Sequence, residues 1–138
     1  MEAMIKEIVV IDGQGGGIGK LIIQAIKANM KEVVVIGVGT NSSATNNLKK
    51  GGADVIATGE NAIIYNAKNA KIIIGPIGIS FANSMYGEIS PEMAKAINES
   101  EAIKYLIPIS KCNAHVLGIT SKTIAEYIDE LINLLIQE

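Results

Sequence analysis

Residues 7–12 form a near-continuous apolar run ending on an acid, the pattern of a central strand buried on both faces. The period changes over residues 17–30. Ile18, Leu21, Ile22, Ala25, Ile26 and Met30 fall on one helical face, with Lys20, Gln24, Lys27 and Lys31 away from it. Residues 33–38 read as a second strand. Thr40, Asn41, Ser42 and Ser43 offer N-caps for a short helix to Lys50, which Gly51 and Gly52 stop. A short strand follows at 54–57, and Thr58-Gly59-Glu60 opens a third helix to about Asn69. Residues 71–75 form a fourth strand, and 76–89 an irregular stretch with room for one helical turn. Ser90, Pro91 and Glu92 make a strong helix start, with the cap, the first-turn proline and the early acid all present. That helix runs to about Glu99. Residues 105–109 give a fifth strand and 115–119 a sixth at an edge. Ser121 caps a last helix carrying Ile124, Tyr127, Ile128, Leu131, Leu134 and Leu135 at helical spacing.

Strands alternating with helices predict a three-layer, doubly wound, mainly parallel α/β sheet of five to six strands, Rossmann-like, as a single domain over 1–138. Composition strengthens this reading. Apolar residues make up 49% of the chain and aromatics only 4%, which suits a β-branched sheet covered by helices.

Between the first strand and first helix lies Asp12-Gly13-Gln14-Gly15-Gly16-Gly17-Ile18. A strand, a glycine loop and a helix start aim backbone N–H groups at one spot, which suits a phosphate. The dinucleotide pattern G-x-G-x-x-G started at Gly13 meets Ile18 where it needs glycine. The spacing G-x-x-x-G-x-G does fit, through Gly13, Gly17 and Gly19, and resembles the short-chain dehydrogenases. Their Tyr-x-x-x-Lys is missing: Asn69, Ser90, Ile109 and Leu131 stand four after the tyrosines. Against the P-loop, Gln14 replaces the first glycine and Leu21 replaces the hydroxyl that would hold Mg²⁺. The ParA-like variant, through Gly16-Gly17-Ile18-Gly19-Lys20, breaks at the same Leu21, which reads instead as a core residue. An anion cradle of amides 14–18 remains, beside the alternative that the glycines only make a tight turn. Asp12 can cap loop amides, hold a cation or repel a phosphate, with capping the default.

In the usual doubly wound order, strands one and four flank the switch point, and the glycine loop faces the segment after strand four. Gly75, Ser80, Asn83, Ser84 and Glu88 are the candidates there, although Ser, Asn and Gly also simply make turns. An NAD site usually has an acid at the end of strand two; here stand Thr40, Asn41 and Ser42, able to meet a ribose or phosphate, or to cap the helix. NAD(P) or another nucleotide is the cofactor class these positions admit. The sole cysteine and sole histidine, Cys112 and His115, fall near Lys111 after strand five. They offer a nucleophile and base if they touch. Too few ligands stand there for a structural zinc.

The net charge of −2 gives no field for nucleic acid or anionic lipid, and the twelve basic residues are all lysine. Without arginine, an anion must be met by amides, hydroxyls or Lys. One cysteine permits no internal disulfide, the start lacks a secretory pattern, and the apolar run 72–79 is broken by Gly75, Pro76 and Gly78. A soluble cytoplasmic protein is expected. The apolar last helix or an edge strand offers a homodimer surface.

The stretches IDGQGGGIGK, GTNSSAT, ATGENAI, IIIGPIGI, ANSMYGEISPEMA and LIP with CN beyond it resemble an uncharacterised bacterial family of small glycine-rich Rossmann-like domains of unknown function. The resemblance covers nearly the whole chain. It implies the fold and carries over no activity or catalytic residue. The expected role is therefore binding or sensing of a phosphorylated small molecule. A small enzyme using Cys112, His115 and Lys111, and an interaction domain with a purely structural loop, stand as alternatives.

Overall fold

The computed structural model describes residues 6–109, 114–120 and 122–137. Five strands form one parallel sheet: β1 (Lys6–Asp12), β2 (Val33–Gly39), β3 (Val55–Thr58), β4 (Ile72–Pro76) and β5 (Ile103–Ile107). Their spatial order is β3-β2-β1-β4-β5, so the chain reverses direction across the sheet between β1 and β4. The helices are α1 (Gly17–Asn29), α2 (Ser42–Gly51), α3 (Glu60–Asn69), α4 (Pro91–Glu99) and α5 (Ile124–Ile136). A single 3-10 turn, Ile77–Ser80, supplies the helical turn expected in the irregular stretch.

Successive side chains of a strand point to opposite faces, and β1 splits its apolar run accordingly. Ile8 and Val10 join Ile22, Ile23 and Ile26 of α1, Leu48 of α2 and Leu135 of α5 in one core layer. Val9 and Ile11 join Ile63 of α3 and Met93 and Ile97 of α4 in the other. Strands buried on both faces need continuous apolar sequence, which is why alternation is absent from β1. The doubly wound α/β architecture stands, with five strands among the described residues.

Three details differ from the sequence reading. Leu21 is 43% exposed and does not belong to the core; Ile23 takes its place, because α1 turns Ile22, Ile23 and Ile26 toward the sheet. Residues 115–119 form no strand; Gly118 lies in the left-handed region at φ 85°, which breaks extended pairing. The cap of α5 is Thr123, whose hydroxyl accepts from the Glu126 N–H while the Glu126 carboxylate accepts from the Thr123 N–H, a reciprocal capping box. Ser121 lies outside the described residues. No helix among those described is long and apolar enough to cross a membrane.

Candidate functional site

The switch point between β1 and β4 puts their C-terminal ends side by side, and two loops meet there. Asp12 closes the glycine loop from its base. Its Oδ1 accepts from Gly13 N–H at 2.8 Å and its Oδ2 from Gly19 N–H at 2.6 Å. Gly16 occupies the N-cap position of α1 and has no side chain to cap with, so Asp12 satisfies the third amide of that helix from the preceding strand. Of the three roles open to Asp12, capping is the one its bonds describe. Burial pushes its carboxyl above the ordinary value, with the Glu88 charge adding to this; the Gly19 and Gly13 amides pull the other way and do not prevail.

The loop's glycines divide by what surrounds them. A Cβ on Gly13 would meet Met85 Sδ at 2.6 Å and Thr40 Oγ1 at 2.9 Å. On Gly16, at φ 72°, it would meet the Ala44 carbonyl oxygen at 2.7 Å. On Gly19 it would strike the Leu48 side chain and come within 3.0 Å of Asp12. Packing accounts for those three. Gly15 and Gly17 differ: neither has positive φ and neither has anything within 4 Å of a built Cβ.

The loop amides divide in the same way. Gly13 and Gly19 donate to Asp12, Gln14 to Glu88, and Gly16 to the Gly13 carbonyl. The N–H groups of Gly15, Gly17 and Ile18 have no acceptor among the described residues. Gln14 O accepts from Asn41 Nδ2 at 3.1 Å, and Gly15 O accepts from Asn47 Nδ2. A trans peptide sets its N–H opposite its C=O, so fixing the Gln14 carbonyl toward α2 turns the Gly15 N–H away from α2.

Above these amides opens a cleft of about 770 Å³. The loop from Asp12 to Ile18 forms its floor, Phe81 to Tyr86 one wall, and Pro76, Ile109 and Ala114 complete it. The segment after the 3-10 turn is tightly bonded to itself. Asn83 N–H donates to Ile89 O at 2.6 Å, Ile89 N–H to Ser84 O at 3.3 Å, and the Ser84 hydroxyl to Gly78 O. Asn83, Met85 and Tyr86 all sit at positive φ, between 57° and 66°, an uncommon conformation for residues with side chains. Tyr86 is 91% exposed as a result, while Met85 is turned inward over Gly13.

Glu88 ties this segment to two other loops. Its Oε1 accepts from Thr40 Oγ1 at 2.5 Å, Asn41 Nδ2 at 2.9 Å and Gln14 N–H at 2.9 Å. Partial burial pushes its carboxyl up, but the Thr40, Gln14 and Asn41 donors outweigh that and hold it below the ordinary glutamate value. Asn41 also accepts from Ala44 N–H at 2.9 Å and so caps α2.

Of the residues singled out in the sequence, Asp12 to Ile18, Asn83 and Ser84 are brought together around one cleft. Thr40 and Asn41 face Glu88 instead, Ser42 lies exposed in the first turn of α2, and Gly75 packs within the sheet against Ile11. Ser80 bonds back to Ile77 O at 2.7 Å. His115 is exposed, next to the cleft-lining Ala114; Lys111 and Cys112 lie outside the described residues. No group of three or more potential metal ligands occurs among the described residues. The sequence reading passed over Phe81, Met85 and Tyr86. A signal was present: two of the chain's five aromatic residues fall within six positions of each other, in a loop.

The model of one protein family, described as a domain of unknown function, DUF3842, matches residues 7–138. No curated protein matches in sequence. Two solved structures are similar in outline. A dodecameric FMN-dependent UbiX-like decarboxylase from Escherichia coli O157:H7 has a TM-score of 0.47 at 15% identity, over 96% of this chain and 92% of that one. An arsenate reductase in its intermediate state has a TM-score of 0.45 at 12% identity, over 96% and 97%.

Proposed function

The chain belongs to the DUF3842 family, and from that premise we propose that it binds a phosphorylated small molecule, a nucleotide, in the cleft above its glycine loop, in a binding or sensing role. The observation that carries this reading is the pair Gly15 and Gly17. Neither packing nor backbone conformation calls for glycine at either position. Beside them, the N–H groups of Gly15 in the loop and of Gly17 and Ile18 in the first turn of α1 have no acceptor among the described residues. A phosphate placed there takes up all three and lies at the positive end of the α1 dipole, each such charge–dipole interaction contributing about 0.3–1 kcal/mol. Among the described residues no lysine lines the cleft, and the loop amides are the donors that face it.

A thermal-shift screen against mononucleotides, dinucleotides and sugar phosphates tests the proposal. A ligand at a hundred times its Kd stabilises by about 2.7 kcal/mol, a rise of roughly 8 °C at about 3 °C per kcal/mol. Gly15→Val fills the cradle and removes the shift while the protein stays folded. No response from any compound, or a response that survives Gly15→Val, refutes the site.

A further inference from the structure

Resting on that reading, we propose that the ligand is a mononucleoside monophosphate. Its base lies against Phe81 and Tyr86, and Glu88 closes the neighbouring crevice to a second nucleotide. In a doubly wound sheet a dinucleotide extends across the switch point, with one half over the ends of β1 and β2. Here that half is filled. The Glu88 carboxylate sits at the end of β2 on Thr40 and Asn41, and reaches across to the second amide of the glycine loop, Gln14 N–H. Met85 covers the first glycine. An anion arriving on that side meets a carboxylate where it needs a donor.

The open half lies on the β4 and β5 side. The cleft there is lined by Gly15, Gly17, Phe81, Asn83, Tyr86 and Ile109. Among the described residues its one ionisable lining side chain besides Tyr86 is Asp12, already committed to two amides. Three amides without acceptors among the described residues match the three non-bridging oxygens of one terminal phosphate group, and no cationic side chain among the described residues lines the cleft to meet the further charge of a diphosphate or triphosphate. Phe81 is 36% exposed and Tyr86 91% exposed, both on the cleft wall. Aromatic rings kept in water beside an anion cradle suit stacking on a nucleobase, which is worth about 1–3 kcal/mol per base, or about five- to 150-fold in affinity. The Asn83 side-chain amide has no partner among the described residues and is free for a ribose hydroxyl or a base edge.

Calorimetric titration with AMP, GMP, CMP, UMP, ribose 5-phosphate, ATP and NAD decides the matter. At least one mononucleotide binds tenfold or more tightly than ribose 5-phosphate, ATP and NAD. Phe81→Ala and Tyr86→Ala, both at exposed positions, lower that affinity at least fivefold and leave ribose 5-phosphate unchanged. If ribose 5-phosphate binds as well as every mononucleotide, or both aromatic variants bind normally, base stacking is refuted while the phosphate site stands. If NAD binds as tightly as the best mononucleotide and Glu88→Gln weakens it, Glu88 contacts ribose and the closed-crevice inference is overturned. If neither ribose 5-phosphate nor any mononucleotide binds, the phosphate site falls with it.

Discussion

Replacing Asp12 by alanine removes the acceptor of two N–H groups at once. Asp12 is 3% exposed, and its partners Gly13 and Gly19 are themselves buried. A buried donor left without a partner costs about 1–3 kcal/mol, so the two amides together cost roughly 2–6 kcal/mol. One effect opposes this. Burial raises the Asp12 carboxyl above its ordinary value, so the native protein bears a desolvation penalty that alanine relieves. The net expectation is a loss of about 2–4 kcal/mol, a drop in Tm of roughly 6–12 °C at about 3 °C per kcal/mol. Asp12→Asn falls between, because its amide oxygen serves one N–H while its NH₂ faces the other. Urea titration at pH 7 gives the free energies, and amide hydrogen exchange shows where the loss arises. Gly13 and Gly19 exchange faster in both variants. A loss under about 0.5 kcal/mol for alanine, or unchanged exchange at those two amides, refutes the account of Asp12 as the internal cap of α1.

Other expectations follow from the same geometry. Gly15→Val, in open space, changes stability by less than about 1 kcal/mol, whereas Gly16→Ala, at φ 72° and 2.7 Å from the Ala44 carbonyl, costs about 2 kcal/mol or more by urea denaturation. The Glu88 carboxyl is held below its ordinary value of 4.5, so its contribution is present above pH 4.5 and lost as pH falls through the folded value. Glu88→Gln therefore flattens the acid limb of the stability–pH curve; a constant offset from wild type between pH 3 and 7 contradicts this. Asp12, raised above 3.8, acts with the opposite sign, losing stability as pH rises through its folded value. Thr123→Ala lowers stability by about 1 kcal/mol through loss of the α5 capping box, read by circular dichroism melts.

The strands, the helices and their order were legible because the two core layers need Ile and Val on both faces of β1 and one apolar stripe on each helix. What escaped has physical reasons. Leu21 and Ile23 both fit a helical period, and which one is buried depends on how α1 is turned against the sheet, with Gly19 close to Asp12 and Leu48. The α5 cap was legible: Thr123 has Glu126 three residues on, whereas Ser121 has Ile124. The run 115–119 has strand composition, but strand propensity yields to backbone context at Gly118. The glycine loop reads from sequence as a candidate anion cradle, yet which of its glycines serve packing depends on Met85, Ala44 and Leu48, residues distant in sequence. The role of Thr40 and Asn41 likewise depended on Glu88, whose polar character was visible and whose position was not.

The Glu88 bonds span 74, 48 and 47 residues, to Gln14, Thr40 and Asn41. Contacts of that separation form only after loop-closure entropy has been overcome elsewhere in the chain. The carboxylate can dock only once β1, β2 and β4 lie side by side, so its three bonds depend on the assembled sheet and on no local segment. The wall of the cleft is thereby a product of tertiary assembly: one carboxylate, with Met85 and Ile89 in the core, holds it over the glycine loop.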